Sequence, residues 1–146
     1  MSSTPTRERR CELLAAAAHE EIVPLAERLL ADGALPEPTV LKSPETGMVV
    51  LQVREPVEET RFYLGEVLVT ECSVDVAGVP GWCMRPGDDR VAALAGALLD
   101  AIAAADGPAT AEIDALCAAV AERVAAKDAT EWAEVTATTI VFEELA

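Results

Sequence analysis

The chain has 146 residues, 51% of them hydrophobic, and a formal net charge of −15. That length suits one domain, 1–146, with a real core, and so negative a charge repels nucleic acid and anionic membranes and excludes both as expected partners. Residues 1–10 carry three arginines and no apolar stretch, so no secretory signal is expected. No apolar run approaches the roughly 20 residues of a spanning helix.

Taken in chain order, residues 1–5 read as a frayed end. Helical spacing runs from Thr6 to about Ala31, with Cys11, Leu14, Ala18, Leu25 and Leu29 near one stripe. Pro24 predicts a kink or a restart, with Pro24 near the first turn of a second helix. Asp32-Gly33 is a stop signal. Three prolines around Thr39–Lys42 suggest a short edge strand, and Glu45-Thr46-Gly47 a turn. Met48–Glu55 alternates as a half-buried strand, and 56–60 is an acidic loop.

Arg61–Val76 is long for one strand, with Gly65 marking a bulge or bend. A two-residue turn at Ala77-Gly78 then sets Val76 opposite Val79 and Cys72 opposite Cys83. In that register Pro80 needs no donor, and Trp82 and Met84 share the opposite face with Val67 and Val69. Asp88 or Asp89 caps a helix to about Ala105 with Val91, Leu94, Leu98, Leu99 and Ile102 as its stripe. A last helix runs from Thr110 to about Lys127, and Val135–Phe142 reads as a strand or docked tail. The expected fold is therefore α+β: N-terminal helices, an antiparallel sheet of about four strands, and two C-terminal helices.

Chemistry is sparse. The four cysteines, Cys11, Cys72, Cys83 and Cys117, have no C-x-x-C spacing, so neither a zinc site nor a redox motif is expected and reduced thiols in the cytoplasm are. Cys72 and Cys83 are read as packed thiols rather than a disulfide. His19, the only histidine, reads as a solvated helical residue, because a general base needs an orienting partner and a pocket. Glu20-Glu21, Glu58-Glu59 and Glu143-Glu144 read as solvated faces, and no metal-ligand array stands out. Gly81-x5-Gly87 lacks the ending of a phosphate loop. Arg54, Arg61 and Arg85 are candidate phosphate or anion contacts, with salt bridges to the surplus acids as the competing use. Val67, Val69, Trp82 and Met84 are candidates for a partner interface, with core packing as the alternative.

The block from Thr46 to Ala101 resembles PhnG, the G protein of the bacterial carbon–phosphorus lyase system. The matching positions are Thr46, Gly47, Arg54, Arg61, Phe62, Gly65, Glu66, Thr70, Val74, Gly81, Trp82, Gly87, Asp89 and Asp100 within Ala97–Ala101, with a weaker likeness in the N-terminal helix and in Ile140–Phe142. Glu71 and Asp88 stand where the family often has arginine, and Glu143 where a second phenylalanine is usual. The resemblance implies an accessory subunit acting with PhnI-, PhnH-, PhnJ- and PhnL-like proteins. With the PhnI-, PhnH- and PhnL-like proteins it is implied to exchange the adenine of ATP for an alkylphosphonate, giving a ribose 1-alkylphosphonate 5-triphosphate whose C–P bond the PhnJ-like protein cleaves later. It implies no catalytic residue in this chain and no cofactor bound by it alone, with ATP and Mg used by the complex. The competing reading is an acidic adaptor or dimerisation domain unrelated to phosphonates.

Overall fold

The computed structural model describes residues 5–33 and 35–139. Helix α1 spans Arg7–Ala16 and starts where Thr6 accepts from the Arg9 N–H. Helix α2 spans His19–Ala31, and Glu21 reaches back to the Ala18 N–H at 2.8 Å. The break between them falls at Ala17-Ala18, not at Pro24. Arginines from elsewhere take the carbonyls that end α1: Arg123 Nη2 donates to Ala16 at 3.2 Å and Arg85 Nη2 to Ala17 at 2.8 Å. Pro24 sits inside α2 on its solvent side, and the carbonyl it leaves unpaired, that of Glu20, belongs to an exposed residue.

The sheet has three antiparallel strands in the order β1 (Thr39–Arg54), β2 (Arg61–Val76) and β3 (Val79–Pro86). It has three strands rather than about four because the proposed edge strand and the strand after it are one. Pairing with β2 slips at Val40/Lys42 and Lys42/Glu45 instead of turning at 45–47. As an edge strand, β1 absorbs Pro44 there without losing a ladder donor. A third slip, between Leu51 and Gln52, leaves Leu64 as the extra residue beside Gly65, so the bulge lies where the glycine suggested. The 77–78 hairpin has the expected register, Val76↔Val79 and Cys72↔Cys83. Ala77 takes φ +54° and Gly78 φ +83°, and the Gly78 N–H donates to Asp75 Oδ1 at 2.7 Å. The positive φ at both positions matches the right-handed strand twist.

Helix α3, Arg90–Ala104, is capped by Asp89, which accepts from the Ala92 N–H at 3.0 Å. It is apolar all round and fills the middle of the molecule. One side packs on Cys72, Val74, Val76 and Cys83 of the sheet. The other meets Leu14, Ile22, Leu29, Ile113, Cys117 and Val120 of the outer helices. Gly81 and Gly96 permit the close approach: a Cβ on Gly81 would lie 2.1 Å from the Ala97 carbonyl, and one on Gly96 2.5 Å from Cys83 Sγ. Helix α4 spans Thr110–Ala137, ten residues beyond the expected end at Lys127. Val135 is therefore helical and exposed rather than part of a strand, and residues 140–142 of that expected segment lie outside the described residues. Only the first half of α4 touches the core; 125–139 are exposed throughout.

Candidate functional site: a closed polar corner and an open apolar surface

Polar residues scattered through the sequence meet at one corner of the body. Thr70 Oγ1 donates to the Gly87 carbonyl at 2.7 Å and lies 3.3 Å from Thr46 Oγ1. Thr46 also bonds Asp88, and the Gly87 N–H donates to the Leu68 carbonyl at 2.9 Å. Gly87, at φ +91°, makes the turn into α3. Asp89 holds His19 Nδ1 at 2.9 Å besides capping the helix. Burial works against the Asp89 carboxylate, but the Ala92 N–H, His19 and Arg85 together hold its pKa below the ordinary value. Thus Thr46, Thr70, Gly87 and Asp89, four of the family-like positions, fasten the sheet end to the start of α3. His19 has the orienting partner a general base needs, but it is 47% exposed and none of the described pockets is lined by it.

A second lock lies where β3 meets α3. Asp100 is 1% exposed, and its carboxylate takes both Arg7 Nε (3.1 Å) and Arg7 Nη2 (2.9 Å), with the Trp82 N–H at 3.0 Å. Cys11 Sγ lies 3.4 Å from the same group, and burial first, then Asp100, pushes this thiol up to about 11. Burial likewise lifts Cys83 to about 12 and Cys117 to about 11. The cysteines are all free thiols, and three of them, Cys72, Cys83 and Cys117, are buried; such thiols are poor nucleophiles at neutral pH. A buried aspartate inside the apolar run 97–105 was the sequence signal for this lock; Arg7 as its partner had none.

The three candidate anion contacts do not converge. Arg85 is 8% exposed and points to the Ala17 carbonyl, with Nε and Nη1 lacking an acceptor among the described residues. Arg54 and Arg61 face each other at the far end of the β1–β2 ribbon, where Arg54 lies 3.6 Å from Glu59. Arg85 pairs with Thr70, nine residues from Arg61, which is roughly 30 Å of strand. Glu71 is tied to Lys42 and to Trp82 Nε1 (3.0 Å), and these bonds, Lys42 first, hold its carboxyl below the usual range. Asp88 lies 3.8 Å from Arg90. Both acids at arginine-like positions are therefore used locally. Among the described residues no group of three or more His, Cys, Asp or Glu is placed to hold a metal ion. Nor is any helix long and apolar enough to cross a membrane.

What stays open is apolar. Trp82 is 42% exposed, Val67 and Met84 are half-buried, and Val69 is buried. Between α1 and β3 runs a groove of about 640 Å³ lined by Cys11, Ala15, Trp82, Met84 and Pro86, with Glu8 and Glu12 on its rim. A smaller depression of about 210 Å³ continues across Met84, Val69 and Val49 beside Lys42 and Glu71. From there β1 and β2 project as a ribbon on which Met48, Val50, Leu51, Phe62, Tyr63, Leu64 and Leu68 are all more than 40% exposed. Arg61, Phe62, Gly65 and Glu66, four further family-like positions on β2, lie on this ribbon.

These features define a class: a small α+β protein whose polar side chains hold its own fold and whose accessible chemistry is a long apolar surface. The chain belongs to the phosphonate metabolism protein PhnG family, whose family model matches residues 5–146, and it has a role in phosphonate metabolism. A search of curated proteins gave no match.

Proposed function

We propose that this chain is an accessory subunit of the carbon–phosphorus lyase system, acting in the cytoplasm with PhnI-, PhnH-, PhnJ- and PhnL-like proteins. Its role is to support transfer of an alkylphosphonate to C1 of the ribose of ATP. In that exchange the bond from C1 to adenine breaks, a phosphonate oxygen bonds C1, and adenine leaves. The observation that carries the reading is the open surface from the α1–β3 groove along the ribbon, on a member of a phosphonate-metabolism family. An apolar surface of this extent on a small domain favours a protein partner. ATP and Mg are assigned to the complex rather than to this chain. Arg54, Arg61 and Arg85 are too dispersed to grip one triphosphate, although Arg54 and Arg61 remain available at the ribbon end for an anion brought by a partner.

The test is co-expression with a tagged PhnI-like protein and with PhnH- and PhnL-like proteins, followed by an assay of methylphosphonate-dependent adenine release from ATP with Mg. The expected result is retention of this chain through the tag and adenine release that depends on it. Full release by the other subunits without it would overturn the role. Failure to be retained at all would overturn the proposed place in this complex while leaving the family membership intact.

A further inference from the structure

The two edges of the sheet are built differently. Along β3 the closing hairpin pair Val76↔Val79 is a hydrogen-bonded one, so residues 79, 81, 83 and 85 bond β2 while 80, 82, 84 and 86 turn their backbone outward. Two of those four are prolines, Pro80 and Pro86. The Pro80 carbonyl accepts from Arg7 Nη2 at 2.6 Å, and the Trp82 N–H is taken by Asp100. This edge is closed to strand addition. On β1 the same alternation, checked by the Leu68 carbonyl bonding Gly87 on the β3 side, makes Gly47, Val49 and Leu51 bond β2. Met48, Val50 and Gln52 then turn N–H and C=O outward. Thr46–Val53 contains no charge and no proline, so this stretch of β1, unlike 39–45 with Lys42, Pro44 and two pairing slips, lacks the charge and proline that guard an edge.

We infer that the outer edge of β1, from Thr46 to Arg54, receives an extended strand of a protein partner, an apolar strand flanked by Lys or Arg. Strand addition supplies main-chain bonds, with side-chain pockets on alternate positions giving specificity. The ribbon offers such positions on both faces: Met48, Val50 and Tyr63 on one, Leu51, Val53 and Phe62 on the other. The charge selects the occupant. Glu45, Glu55, Glu58, Glu59 and Glu66 lie around this edge and outnumber its cations, Lys42, Arg54 and Arg61, of which Lys42 and Arg54 already lie beside Glu45 and Glu59. A second copy would bring another −15 and be repelled, whereas basic flanks would be drawn in. The inference rests on the partner reading above and specifies where and how the partner binds.

The test uses the tagged PhnI-like protein as probe and the full chain with Val50→Pro or Val50→Thr. Proline removes an outward N–H that none of the described residues uses, so the variant keeps its fold; threonine keeps the donor. Capture falls about tenfold or more for Val50→Pro and stays within about threefold for Val50→Thr. In the wild-type complex the Met48 and Val50 amides, which exchange freely in the isolated chain, become protected. This second readout stands even if Val50→Pro misfolds. Wild-type capture with equal capture of folded Val50→Pro and unprotected amides would overturn the strand addition while leaving the partner reading intact. No wild-type capture would overturn both. A wild-type homodimer in sedimentation, dissolved by Val50→Pro, would overturn the basic partner in favour of a second copy.

Discussion

The body and the ribbon use the same kinds of residue for opposite ends. In the body, Leu14, Ile22, Leu99 and Ile113 are at most 1% exposed, and buried Asp100, Thr70 and Arg85 each bond another element. In the ribbon, Val50, Tyr63 and Leu64 are 57%, 72% and 61% exposed, with only a bulged ladder holding them. An isolated two-stranded ribbon is marginal in water; this one is carried by the third strand and α3 at its base. Apolar residues that stabilise nothing in their own chain are suited to a surface that is covered by another.

The largest effect expected from this contrast is at glycine. Gly81→Val drives a side chain into the Ala97 carbonyl and Ala101 and should prevent stable folding, costing about 3 kcal/mol or more. Gly65 has open space around it, so Gly65→Ala in the ribbon should melt within a few degrees of wild type. Equal melting temperatures for the two would erase the distinction. Leucine gives the next test. Leu99→Ala should lose about 3 kcal/mol in urea unfolding, and Leu64→Ala about 0.5 kcal/mol or less in the isolated chain.

Association should reverse that order. Trp82→Ala leaves folding nearly unchanged, because the indole is half open, yet should weaken capture by a PhnI-like partner by about 2 kcal/mol if the groove is the centre of the contact. Capture undiminished in a folded variant would remove Trp82 from the interface. The smallest effect is that of pH. Glu21, Glu71 and Asp89 all have folded pKa values below their ordinary ones: Glu21 through the Ala18 N–H first, Glu71 through Lys42 first, and Asp89 against its own burial. A depressed folded pKa gives stability that is complete above the unfolded value and lost as pH falls through the folded one. Denaturant midpoints should therefore hold from pH 8 to 5 and decline below about pH 4. A decline already under way between pH 8 and 6 would contradict this assignment to the carboxylates.

Much of the body was legible because its signals are local. The Ala77-Gly78 turn fixes the register to Cys72↔Cys83, and Asp89 caps α3 as an aspartate before an apolar run does. The misplaced features depend on tertiary partners. The α1–α2 break is set by Arg85 and Arg123, which lie far along the chain, and not by the local breaker Pro24. The extra turns of α4 carry no buried stripe to announce them. The supposed turn at 45–47 is regularly paired strand, with the slips just before it between Val40 and Glu45, and the strand continues because β2 is long enough to pair with it. Of the candidate site, the shared face of Val67, Val69, Trp82 and Met84 followed from alternation. That Arg85 would be buried apart from Arg54 and Arg61 did not, because like residues carry no mark of which end of a strand they will occupy.

On the proposed reading the ribbon and the α1–β3 groove, not the helical body, meet the partner. Amide hydrogen exchange of this chain, alone and co-purified with a PhnI-like protein, separates the two. New protection is expected over 46–69 and around Trp82 and Met84, with α2 and α3 unchanged. Protection concentrated on the solvent faces of α2 and α4, with the ribbon still exchanging freely, would contradict that reading.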